Sequence, residues 1–154
     1  EPNTWRELIA EIDKSGIDIK GQAIAVQEYG LPNSRMYAEL EKRGAIVTPV
    51  PVYRWALPED TTPLETALRE TAAGNVDVLL FTSANQVSSV LAVAEKQGDL
   101  PAIRAAIEQR TQVASIGPTC TEALIDNGFP VNFEASPPKM GQLVRGSIDV
   151  WRNR

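Results

Sequence analysis

The chain switches repeatedly between two hydrophobic periods, and this alternation constrains its fold more than any other feature. Short apolar runs at residues 23–26, 45–47, 78–81, 113–116 and 131–133 read as strands. Between them apolar residues recur at helical spacing. Trp5, Leu8, Ile9 and Ile12 form one such stripe, Met36, Tyr37 and Leu40 a second, and Val87, Val90, Leu91 and Ala94 a third. A short segment around Ile103, Ala106 and Ile107 follows, and Met140, Leu143, Val144, Ile148 and Trp151 close the series. Strands separated by helices pair in parallel, because each crossover returns the chain to the same end of the sheet. The expected fold is α/β: one or more parallel sheets flanked by helices and doubly wound.

The punctuation agrees with that plan. Thr4 and Glu7 have capping-box spacing ahead of the first helix. Gly44 and Gly128 stand where helices should stop. Pro49 and Pro51 lack ladder donors, so the strand carrying them, read as continuing to Val52, Tyr53 and Arg54, is an edge or a connecting ribbon. Residues 55–61 read as a linker, after which Thr62, Pro63 and Glu65 supply an N-cap, a first-turn proline and a first-turn acid. No tandem repeat or low-complexity tract interrupts the pattern.

Composition narrows the chemistry. The 154 residues contain no histidine and one cysteine, Cys120. Imidazole bases, serine-protease-type triads and most zinc sites are thereby removed. Net charge is −5 with the two signs interspersed and no basic stripe, which argues against nucleic acid as a partner. No apolar run is long enough for a bilayer span and no signal peptide is apparent, so no membrane partner is expected. A lone cysteine fits a reducing compartment, the cytoplasm by default. Because it opens on Glu1, the chain reads as a fragment or processed product.

Three polar turns end strands and begin helices: residues 27–33, 82–86 and 117–122. Ligands of open α/β sheets bind beyond the carboxyl ends of the strands, where helix N-termini present bare N–H groups that attract carboxylates or phosphates. Ser83 with Gln86 and Thr119 with Glu122 also have capping-box spacing, so these hydroxyls either cap their own helices or contact a ligand. A cap leaves neighbouring amides open, and the two readings coexist. Cys120 reads as a small buried side chain, and Trp5 and Trp151 as core or docking surface. Gly117 sits in no dinucleotide or Walker fingerprint. Tyr53, Arg54 and Trp55 form either an amphipathic strand end or a site face. In the second case the phenol of Tyr53 is a proton donor and Arg54 pairs with a substrate carboxylate.

The ordered set "GQAIAVQEYGLPNSRMYAELEKRGA", "PVPVYRWALPED", "VDVLLFTSANQV" and "VASIGPTCTEALIDNGFPV" resembles the uroporphyrinogen-III synthase family over nearly the whole chain. The resemblance implies a cofactor-free, metal-free lyase of tetrapyrrole and heme biosynthesis. Its substrate is hydroxymethylbilane, a linear tetrapyrrole with eight carboxylates, whose terminal ring is inverted as the macrocycle closes with loss of water. Tyr53 matches the tyrosine that assists departure of the hydroxyl. Ser83, Thr119 and Thr121 match the strand-end turns that orient acetate and propionate groups, with the amides of Ala84, Asn85, Cys120 and Thr121 binding them. Where the family often heads its last helix with threonine, this chain has Ser136, Pro137, Pro138 and Lys139, and Lys139 would supply a charge instead.

The same resemblance divides the chain. Residues 1–54 would close the second of two α/β domains, 55–61 link, and 62–154 return to the first, with sheet edges left uncovered. The isolated chain would then pack as one unit or exchange segments in a homodimer. Beside the synthase reading stand two others: a non-catalytic synthase-like module for small-anion binding or sensing, and an unrelated doubly wound domain with a small anionic ligand.

Overall fold

The computed structural model describes residues 4–52 and 54–153. The chain divides into two compact units, Glu1–Ala56 and Leu57–Arg154.

The first unit contains α1 (Trp5–Ser15), β1 (Ala23–Glu28), α2 (Ser34–Lys42) and β2 (Ile46–Pro51). The Thr4–Glu7 capping box forms: Glu7 accepts from the Thr4 amide at 2.7 Å, and the Thr4 hydroxyl oxygen accepts from the Arg6 amide at 3.2 Å. α2 stops where Gly44 takes φ +85°, a left-handed turn that a side chain would strain. β1 and β2 pair in parallel, with Ala23 opposite Ile46 and Val26 opposite Pro49. One face of this two-stranded sheet carries Ile24, Val26 and Val47 into a core with Ile9, Ile19, Leu40 and Ala45. The other face, with Ala23, Ala25, Ile46, Thr48 and Val50, is open, and Ile46 is 60% exposed. β2 ends at Pro51, short of the expected Arg54, since two prolines remove the donors that would extend the ladder.

The second unit contains α3 (Thr62–Ala72), β3 (Val78–Phe81), α4 (Ala84–Gln97), α5 (Leu100–Gln109), β4 (Gln112–Ser115), α6 (Pro118–Asp126), β5 (Phe133–Glu134) and α7 (Met140–Arg152). The sheet order is β3-β4-β5 and every pairing is parallel. Alternate residues feed opposite faces. Leu79, Phe81 and Val113 join Leu68, Val87, Ile103 and Leu124 in the main core, while Val78, Ala114 and Phe133 lie under α7 with Leu143. Helices therefore cover both faces, which is the doubly wound α/β architecture the sequence implied. Burial of a leucine such as Leu124 contributes about 1.5–3 kcal/mol. At the outer edge of β3, Leu80 remains 42% exposed.

Local differences have local causes. Thr61, not Thr62, precedes the first turn of α3, because the Asp60 carboxylate accepts from the Thr62 amide at 2.9 Å and Thr61 instead donates to Glu65 at 2.7 Å. β5 starts at Phe133, later than residue 131, because the Asn132 side chain takes the Val113 amide at 2.8 Å in place of a backbone carbonyl. No helix among the described residues is long and apolar enough to cross a membrane.

Candidate functional site

Parallel pairing puts the carboxyl ends of β3, β4 and β5 on one edge, and α4, α6 and α7 all begin there. Short contacts fasten the three turns together. The Ile116 amide donates to the Phe81 carbonyl at 2.9 Å, and the Cys120 thiol lies 3.7 Å from the same oxygen. A methyl placed on Gly117 would stand 3.1 Å from Cβ of Pro138. Ser83, Gly117 and Lys139, the residues before these helices, thus border a single rim.

At α4 the Ser83 backbone is extended and its hydroxyl makes no cap hydrogen bond. Half of the expected box forms, displaced by one residue: Gln86 Oε1 accepts from the Thr82 amide at 2.7 Å. Ala84 and Asn85 supply the first two N–H groups of the helix, which have no intrahelical acceptor. With Ser83 they form a compact set of donors at a positive helix end.

At α6 the expectation needs correction. Gly117 is the N-cap and Pro118 the first helical residue, so Thr119 is not the cap and its box with Glu122 does not form. The amides expected to bind carboxylate at Cys120 and Thr121 both donate to the Gly117 carbonyl, at 3.1 and 3.0 Å. Thr119 is exposed and carries the remaining first-turn N–H, since Pro118 has none. Cys120 is 2% exposed, and burial pushes its thiol pKa up, so the group is a neutral core side chain. Thr121 Oγ1 is fully enclosed and has no hydrogen-bond partner among the described residues.

At α7, Lys139 holds the N-cap position with extended backbone and an exposed side chain. It brings positive charge to the rim, while exposed Glu134 at the end of β5 brings the opposite sign. Sequence reading missed Ser115. Buried at the end of β4, its hydroxyl donates to the Gly117 carbonyl at 3.0 Å and accepts from the Gly117 amide at 3.3 Å. A serine two residues before a turn glycine was the available signal.

In the first unit, Tyr53 lies outside the described residues and Arg54 is exposed. The turn after β1 is organised by Asn33, whose side chain accepts from the Met36 amide at 3.0 Å. Tyr37 donates its hydroxyl to Glu28 at 2.9 Å, and burial followed by that carboxylate raises the phenol pKa. Tyr29 and Trp55 meet at a centroid distance of 6.4 Å with their planes 54° apart. Among the described residues no group of three or more acidic or cysteine side chains is placed to hold a metal ion.

A family profile described as Uroporphyrinogen-III synthase HemD matches residues 1–145. An uncharacterized protein, YjjA of Bacillus subtilis (strain 168), is 31% identical over 144 residues, covering 94% of this chain and 52% of its own. A putative uroporphyrinogen-III synthase of Methanothermobacter thermautotrophicus is 31% identical over 115 residues, or 75% of this chain and 44% of that one. The chain therefore spans about half the length of the curated relatives it matches. Among solved structures, uroporphyrinogen III synthase from the extremely thermophilic bacterium Thermus thermophilus matches with a TM-score of 0.62 and 26% identity, covering 97% of this chain and 55% of that one.

Proposed function

The chain belongs to the uroporphyrinogen-III synthase family, and from that premise we propose that the protein carrying it closes hydroxymethylbilane to the type III macrocycle with loss of water. The observation that carries this reading is the rim at which α4, α6 and α7 begin together on one sheet edge. A substrate with eight carboxylates suits such a rim. The Ala84 and Asn85 amides, the Ser83 and Thr119 hydroxyls, the Thr119 amide and Lys139 offer donors or charge to acetate and propionate groups. Arg54 adds a guanidinium in the first unit. Tyr53 is the proton donor: as the C–O bond of the hydroxymethyl group breaks, the phenol protonates the departing oxygen and water leaves. Positive charge then develops on the ring system, so no strong base is required. Holding a flexible chain with its terminal ring inverted is the larger contribution.

The test supplies hydroxymethylbilane to the full-length protein and resolves type I from type III product. Type III in excess of the spontaneous mixture supports the proposal, and a mixture identical to the spontaneous one rejects it. Tyr53→Phe should slow turnover without unfolding the protein. The second reading, a module that binds or senses anions without turnover, is favoured by the inward-turned Cys120 and Thr121 amides. Carboxylate binding accompanied only by spontaneous product would select it.

A further inference from the structure

We infer that Tyr29 and Trp55, whose ring planes lie 54° apart, form an angled aromatic shelf on which one pyrrole ring of the open-chain tetrapyrrole rests against the Trp55 face; the inference builds on the synthase reading above. Large aromatic side chains are usually placed to bury their rings, yet Tyr29 is 74% and Trp55 53% exposed. Trp55 packs against the turn that follows Tyr29. Gly30 has φ +79°, and a Cβ there would run into the Trp55 indole, so the chain gives up a side chain to let the ring lie against its backbone. Tyr29 follows the carboxyl end of β1 directly, and Trp55 lies four residues beyond the end of β2. That is the edge on which parallel sheets bind ligands.

The chemistry of the occupant follows from the shelf. Amide-lined helix ends recognise carboxylates but offer nothing to the flat, electron-rich rings that bear them. An indole and a phenol supply that missing surface, since ring stacking tolerates any rotation of the substituents. Trp55 has a second use. When the hydroxymethyl C–O bond breaks, its electron pair leaves with oxygen, a proton from Tyr53 completes the water, and the remaining positive charge spreads over the terminal pyrrole. An indole face attracts such a cation more strongly than the neutral ring that precedes it, so Trp55 favours the charged species over the bound substrate. A phenylalanine at this position would keep the stacking and lose part of the attraction.

Calorimetric titration of the full chain and its variants with two probes tests this. The probes are uroporphyrinogen III, kept reduced, and butane-1,2,3,4-tetracarboxylate, which has carboxylates and no ring. Trp55→Leu should bind the tetrapyrrole roughly tenfold more weakly, with Tyr29→Leu showing a smaller loss. Trp55→Phe should fall within a few-fold of the parent, and the tetracarboxylate should bind all of them alike. Tetrapyrrole affinity unchanged in Trp55→Leu overturns the shelf and leaves the synthase reading intact. A parallel loss for both probes in Trp55→Phe as well as Trp55→Leu assigns Trp55 to the fold and also overturns it. A parent chain that binds neither probe overturns both proposals.

Discussion

Ser115 and Gly117 are tied twice, the serine hydroxyl donating to the glycine carbonyl at 3.0 Å and accepting from the glycine amide at 3.3 Å. Both residues are buried, and the same carbonyl accepts from the first turn of α6. Ser115→Ala strands a buried peptide N–H and should cost about 1–3 kcal/mol. A shift of the urea midpoint at constant slope is the measurement. A cost below about 0.5 kcal/mol would mean that the turn keeps its shape without the hydroxyl.

Gly117→Ala tests how the α6 and α7 starts are spaced. The backbone there is extended, so any residue fits the dihedrals. The added methyl meets Pro138 Cβ at 3.1 Å, tighter than an ordinary contact. Overpacking of this kind costs on the order of 1–3 kcal/mol, and prising the two turns apart should also weaken carboxylate binding. Adding Pro138→Ala should recover part of both losses, and purely additive effects in the cycle would refute the contact as the cause.

Arg43 makes the first unit's stability depend on pH. Its Nε–H and one terminal N–H donate to Asp13 and Glu39, each at 2.7 Å, joining α1 to the end of α2. Those hydrogen bonds hold both carboxyls below their ordinary pKa range. A depressed carboxyl stabilises the fold above its unfolded-state pKa, and that contribution disappears as pH falls through the folded-state value. The parent should therefore exceed Arg43→Leu in stability at neutral pH, with the gap closing below the ordinary carboxylate range and shrinking in salt. A gap independent of pH would show that Arg43 acts through its alkyl stem.

The layered plan was legible because burial sets hydrophobic period directly: Val78 to Phe81 and the Leu143 stripe could hardly be read otherwise. Donor assignment was not. Thr119 and Glu122 have the spacing of a capping box, but the helix starts at Pro118, which makes Gly117 the cap, two residues earlier, and turns two amides inward. Similar competition placed Asp60 ahead of α3 and Asn132 within the β4 ladder. A spacing rule records which residue types are present, whereas the nearest acceptor decides which N–H stays open. The Tyr29–Trp55 pair was invisible for another reason: the residues are distant in sequence, and their ring contact and the packing of Trp55 on Gly30 exist only in the folded chain.

Ala84→Pro isolates the anion-binding claim from the fold. Ala84 is the first residue of α4, where a helix can dispense with an N–H, and α6 already has Pro118 at the same position. Ser83 precedes it with φ −161° and ψ 154°, the extended backbone that a following proline demands. The substitution should leave stability unchanged or raise it by roughly 0.4–1 kcal/mol, by restricting the unfolded chain. It deletes one open donor at the rim. If that amide meets a carboxylate, removing a hydrogen bond to a charged group should weaken binding of butane-1,2,3,4-tetracarboxylate by about tenfold. Titration of parent and variant under one buffer and salt gives the comparison directly. Equal affinity in a variant of undiminished stability would show that the α4 terminus binds no acid group, and the rim would lose that donor.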